Sequence, residues 1–114
     1  MIAKNAIAVG SGFFIAMWNG YHTPRWRRLR ALILRRDGYL SQEALRYGKR
    51  VEANTVHHIW PAEDYPEWAW EPWNLISVTL QEHKGVLHNM DGSLAEAGIS
   101  WQRRRPPPSS GRSF

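Results

Sequence analysis

Two hydrophobic periods alternate along the chain. Trp26, Leu29 and Ile33 recur at i, i+3 and i+7, the spacing of one helical face, and Leu32 and Leu34 widen that stripe. Thr23 offers an N-cap oxygen, Pro24 suits the first helical position, and Asp37-Gly38 supplies a stop. Ser41 to Gly48 reads as a short helical turn with Ser41 as cap and Gly48 as stop. The period then changes. Thr55 to Trp60 is rich in β-branched residues and predicts a strand that Pro61 ends. Asn74 to Thr79 predicts a second strand. Thr79-Leu80-Gln81-Glu82 has the pattern of a capping box, so a helix is expected from Leu80 to about Asn89. Ser93-Leu94-Ala95-Glu96 repeats that pattern before a last short helix toward Trp101, with Gly98 as its weak point.

Between the strands, Pro61 to Trp73 has no period. Pro61, Pro66 and Pro72 punctuate it, Glu63, Asp64, Glu67 and Glu71 make it acidic, and Trp68, Trp70 and Trp73 make it heavy. A loop of this length packs through its own side chains. The tryptophans are expected as anchors rather than base-stacking platforms, because the neighbouring carboxylates repel phosphate. Residues 1–20 show no firm period. They are read as a loosely packed leader, since Gly10-Ser11-Gly12 breaks what could otherwise resemble a secretory segment.

The composition narrows the class. A chain of 114 residues with 43% hydrophobic content suits one domain. The absence of cysteine excludes disulfides and thiolate metal sites. No apolar run is long enough to span a bilayer. A formal charge of +5 and a pI near 10.1 favour a polyanionic partner. Arg25, Arg27, Arg28, Arg30, Arg35 and Arg36 crowd the polar surface of the first helix. Arginine without lysine, interleaved with Trp26, suggests contacts to phosphates; the bland alternative is a solvated face. Residues 103–114, with Arg103-Arg104-Arg105 and three following prolines, are expected to form a basic disordered tail.

The candidate chemistry lies between Val56 and His88. His57 and His58 end the first strand, Asn74 opens the second, and His83 sits one turn into the following helix. Strand alternation places His57 and His58 on opposite faces, so one can hold a metal while the other faces substrate. Imidazole is a base with a near-neutral pKa. A divalent ion stabilises a leaving oxygen, and imidazole ligands suit zinc, nickel and related ions. Asn74 offers both a donor and an acceptor for pinning a loop.

These residues resemble the HNH endonuclease motif of the ββα-metal superfamily. The match is carried by Val56-His57-His58-Ile59 with Pro61, by Asn74-Leu75 and by His83. It extends upstream through Tyr21-His22, Trp26-Arg27, Arg35 to Tyr39 and Ala53 to Thr55. The covered stretch, about residues 21–102, is similar in layout to the small HNH proteins of tailed phages and prophages. The resemblance implies an α+β fold: a ββα-metal core with an arginine-rich N-terminal helix and a short C-terminal helix. It implies a metal-dependent endonuclease acting on double-stranded DNA and leaving a 5′-phosphate and a 3′-hydroxyl. His58 matches the general base, His57 and His83 match metal ligands, and Asn74 matches the residue that orients the base-bearing loop. The ion would be Mg, Mn, Zn or Ni. A place in the cytoplasm of a bacterial host, and a packaging terminase as partner, follow by analogy alone.

The chain departs from the resemblance at two points. Many relatives carry two cysteine pairs around a structural zinc; the corresponding positions here are Ser41 and Ala44, then Thr79 and Glu82. No structural zinc is expected, and packing must replace it. Some relatives place a further ligand four residues after the helix histidine. That position is Leu87, and the next histidine is His88. An i, i+5 pair on a straight α-helix points about 140° apart, so His88 joins the metal only if the helix frays or bulges. The alternative readings are a DNA-binding module with a degenerate nuclease site, and a ribonuclease or toxin. A toxin usually needs a delivery domain, for which no room is expected here.

Overall fold

A computed structural model of the chain describes residues 6–9 and 12–15 by their backbone and residues 18–108 in full. Strands β1 (Ala6–Val9) and β2 (Gly12–Ile15) pair antiparallel, where no strand was expected. The remainder of the expected leader up to residue 17 lies outside the described residues, as does the end of the expected tail, 109–114.

Helix α1 (Pro24–Arg36) forms as its signals predict. The Thr23 hydroxyl accepts from the Trp26 amide at 3.1 Å, and Gly38 closes the helix at φ +66°. Its stripe is narrower than expected: Trp26, Ile33 and Leu34 are buried, whereas Leu32 is 57% exposed. Helix α2 (Gln42–Leu45) follows, capped by Ser41. Strands β3 (Thr55–His58) and β4 (Leu75–Val78) pair antiparallel, with His57 opposite Ile76 and His58 opposite Leu75.

This ribbon is buried on both faces, and its period of two sorts the side chains. Val56, His58 and Leu75 face α1 and a core that includes Trp18, Trp26, Ile33 and Leu34. His57, Ile59, Ile76 and Val78 face the other way, toward Leu87 and Trp101. That second face is covered by α3 (Leu80–Glu82), a π turn (His83–Leu87) and α4 (Glu96–Arg104). Gly98 lets α4 approach the end of the π turn; a Cβ there would lie 2.5 Å from the Leu87 carbonyl oxygen. The expected weak point is therefore a place of close approach.

Three expectations about boundaries are corrected. Trp18 is buried and its amide donates to Glu63 at 3.1 Å, so the packed region begins before residue 21. The helix α4 runs through Arg103 and Arg104. Arg105 donates to the Trp73 carbonyl at 2.8 Å and accepts from the Trp60 indole at 2.8 Å, so the expected tail begins inside the fold. The second capping box does not form: Ser93 bonds back to Asp91 at 2.6 and 2.9 Å, and α4 starts after Ala95 without a side-chain cap. Ser93 and Asp91 satisfy one another locally, which removes Ser93 from competition for the helix end.

The four positions that hold cysteines in many relatives do come together. Glu82 Oε1 accepts from the Ser41 hydroxyl at 2.6 Å and from the Thr79 amide at 2.8 Å, and the Thr79 hydroxyl accepts from the Glu82 amide at 3.0 Å. The Ser41 oxygen accepts from Ala44 N–H at 2.9 Å. A hydrogen-bonded carboxylate ties α2 to the start of α3. The tie is this hydrogen-bond network, where packing was expected.

Candidate metal centre

The π turn decides the geometry of the site. A capping box starts α3 correctly, but from His83 the ladder widens to i, i+5, and the chain becomes extended at His88. In this wider turn residues five apart share a face, which an α-helix denies them. His88 therefore returns to the side of His83, and both meet His57 on the face of the ribbon that the π turn covers. Ring centroids lie 5.3 Å apart for His57 and His83, 5.1 Å for His57 and His88, and 4.7 Å for His83 and His88. One nitrogen from each falls within 4.8 Å of the others. The bulge on which His88 depended is present.

The environment suits a cation-binding rather than a cationic cluster. His57 is fully buried, and neither of its ring nitrogens has a hydrogen-bond partner. Such orphaned atoms are costly unless something fills them. Burial, and then the neighbouring His83 and His88, hold the His57 pKa well below its usual value. Burial and His88 bring His83 down to about 4. Neutral imidazoles carry the lone pairs that a metal requires. His88 donates its Nδ1 hydrogen to the Gly92 carbonyl at 3.0 Å, which leaves Nε2 as its free lone pair, the usual outer-shell arrangement for a histidine ligand. Metal–nitrogen bonds of about 2.1 Å need small rotations to close the triangle. The donor set of three imidazoles fits a divalent ion of the zinc or nickel kind.

His58 is on the opposite face and has different neighbours. Its ring stacks on Trp26 at 5.1 Å and meets the edge of Trp18 at 5.3 Å. Nε2 lies 3.0 Å from the Ala69 carbonyl and Nδ1 lies 3.1 Å from the Tyr21 hydroxyl. A carbonyl can only accept, so Nε2 carries the hydrogen and Nδ1 accepts from Tyr21. Burial lowers the pKa of His58 to about 4, against the partial support of Ala69. It is neutral at pH 7 with one basic nitrogen.

Asn74 makes its side-chain hydrogen bonds to neither the triad nor His58. Its side chain accepts from Trp60 N–H at 2.7 Å and donates to the Trp60 and Trp68 carbonyls at 3.0 and 3.1 Å. It clamps the end of β3 to the loop that carries Ala69, and so sets where the His58 partner stands.

A cleft of about 680 Å³ joins the parts: Tyr21, His58, His83 and His88 line it, with Arg30 and Lys84 among its walls. The arginines of α1 divide. Arg27, Arg28 and Arg35 are exposed. Arg25 lies over the Trp70 ring at 4.0 Å, and Arg30 donates to the Asn54 carbonyl. Arg36 is a correction to the expected phosphate-binding set. Its guanidinium is committed to Asp37 at 2.8 and 3.1 Å, to Pro72 O at 2.9 Å and to Leu75 O at 2.7 Å. It pins α1 to the second strand. Tyr21 and Lys84 line the cleft although no sequence pattern gives either a role; Tyr21 is signalled by its place in the resemblance alone.

No family model and no curated protein matches the chain. Among solved structures, it is similar to a crystal structure of the HNH endonuclease of the deep-sea thermophilic bacteriophage GVE2 with manganese ion. The two share 26% identity over 78% of this chain and 84% of that one, with a TM-score of 0.57. Together with the antiparallel ribbon, the helical turn across it and the histidines they carry, this likeness gives the chain the α+β fold of the HNH endonuclease family.

Proposed function

We infer that the protein is a metal-dependent endonuclease that hydrolyses DNA phosphodiester bonds. The observation that carries this reading is the convergence of His57, His83 and His88 through a π turn, beside a cleft that His58 also lines. A turn of this rare kind is costly to keep without a purpose. The neighbour's manganese supports a divalent ion for this triad. When bound, such an ion supplies charge stabilisation to the phosphate and its leaving oxygen.

The chain's own residues supply the rest. His58, neutral and held by Ala69, offers Nδ1 as the proton acceptor for the attacking water. Asn74 holds the loop that fixes that acceptor. Arg30 and Lys84 line the cleft and attract the backbone. The exposed Arg27, Arg28 and Arg35 extend the positive surface along α1. Attraction to the phosphate backbone carries no sequence information, so the double-stranded DNA of this reading is bound with weak sequence preference and steep salt dependence. The comparisons give no support to a terminase partner, and the proposal is confined to nucleic acid. No helix among the described residues is long and apolar enough to cross a membrane.

The test is nicking of supercoiled plasmid with Mg, Mn, Zn or Ni. The wild type cuts with at least one ion, and His57→Ala, His83→Ala and His58→Ala each lose about 100-fold or more. Equal nicking by wild type and His58→Ala sinks the enzymatic reading. DNA binding without cleavage in all four ions leaves the protein a binding module.

A further inference from the structure

We propose that Tyr21 is the proton relay of this site, passing the proton of the attacking water to His58 through its own hydroxyl. The inference rests on the endonuclease reading and deepens it. Ala69 consumes the Nε2 hydrogen of His58, so Nδ1 is the only nitrogen able to take a proton. That nitrogen is already occupied by the Tyr21 hydroxyl at 3.1 Å. A water cannot reach it directly unless the phenol leaves.

The phenol is poorly placed to leave. Its ring is wedged edge-on against Trp18 at 5.0 Å and Trp26 at 5.3 Å. It meets the His58 ring edge at 5.7 Å. Its oxygen has a second lone pair, and the residue lines the same cleft as His83 and His88. Burial and the nearby Glu63 carboxylate raise the Tyr21 pKa, so the hydroxyl keeps its hydrogen until a partner takes it.

The step balances without any added reagent. One O–H bond of the water breaks, and its proton goes to the Tyr21 oxygen. The Tyr21 O–H bond breaks at the same time, and its proton goes to His58 Nδ1. The water oxygen forms its bond to phosphorus as the bond from phosphorus to the leaving sugar oxygen breaks. The leaving oxygen takes a proton from solvent, and His58 returns its own to solvent. Tyr21 begins and ends as a neutral phenol.

The experiment compares wild type with Tyr21→Phe in single-turnover plasmid cleavage, alongside a proton inventory of the wild type in mixtures of light and heavy water. The relay predicts a loss of about 100-fold in the cleavage rate of Tyr21→Phe. Its affinity for Mn, measured by calorimetry, stays at the wild-type level, and it still melts cooperatively, with a melting temperature lowered only by the lost hydrogen bond to His58 Nδ1. It also predicts a curved inventory, the mark of two protons in flight. Cleavage by Tyr21→Phe at or above the wild-type rate makes the hydroxyl a plug and overturns the relay alone. A linear inventory means one proton in flight and overturns it as well, and decides the matter by itself if the variant does not fold. A wild type that cuts nothing in any of the four ions overturns the relay and the endonuclease reading together.

Discussion

Replacing Asn74 by alanine tests the central structural device of the site. The side chain is fully buried and serves three backbone groups: Trp60 N–H, Trp60 C=O and Trp68 C=O. Alanine leaves all three without that partner. A buried polar group left unsatisfied costs about 1–3 kcal/mol, and the Trp60 end is near enough to the surface for water to recover part of it. The expected loss is about 3–5 kcal/mol, a large share of the roughly 5–15 kcal/mol that holds an ordinary domain. The assay is urea unfolding followed by tryptophan fluorescence. With a slope of about 1.5 kcal/mol per molar, the midpoint falls by roughly 2–3 M. Asn74→Asp sharpens the test, since it keeps the acceptor but turns a carboxylate toward two carbonyls, and it should be at least as damaging. A fall of less than about 0.5 M in the alanine variant refutes the clamp.

The metal-free protein should lose stability as pH falls from about 6.5 to 4. The folded pKa of His58 is about 4 against 6.5 when unfolded, so the unfolded chain binds more protons in that window. This stability is complete above 6.5 and drains away on acidification, worth about 3 kcal/mol for His58 alone; His57 and His83 act in the same direction. A midpoint of urea unfolding that is flat from pH 7 to 4.5 contradicts this. Glu82→Ala removes the acceptor shared by Ser41 and Thr79 and should cost about 2 kcal/mol, or roughly 10 °C in melting temperature, with Glu82→Gln recovering part; an unchanged melt denies the network its role. Arg36→Ala should lose about 2–3 kcal/mol because its donors hold Asp37, Pro72 and Leu75. Arg28→Ala should leave the melt within about 0.5 kcal/mol and lower the salt slope of DNA binding by about 1. The opposite assignment of the two effects refutes the division of the arginines.

What the sequence revealed was local, and what it concealed was tertiary. The cap and stop of α1 act between near neighbours, and strand alternation suffices to separate His57 from His58. Asn74 carries a donor and an acceptor on one short side chain, and both close on backbone groups of Trp60 and Trp68. The π turn could not be read from the capping box of Thr79 and Glu82, which starts a helix but does not say how wide its next turn is. The one available signal was the five-residue interval from His83 to His88, which suits a π ladder and no other helix. Tyr21 and Trp18 reach His58 from more than thirty residues away in sequence, as with the Tyr21 bond across 37 positions. No periodicity reports such contacts. Arg36 looks the same on paper as Arg28, and only the loop folded beneath it turns it into a strut.

The widened turn at His83 also bears on how such sites are recognised. Gain of one residue converts a four-residue interval into a five-residue one, and a π turn absorbs the difference and keeps both imidazoles aimed at one point. A search that fixes the interval between paired ligands will pass over chains that preserve the aim and change the count. The angular position of the ligands survives an indel that a linear pattern does not tolerate.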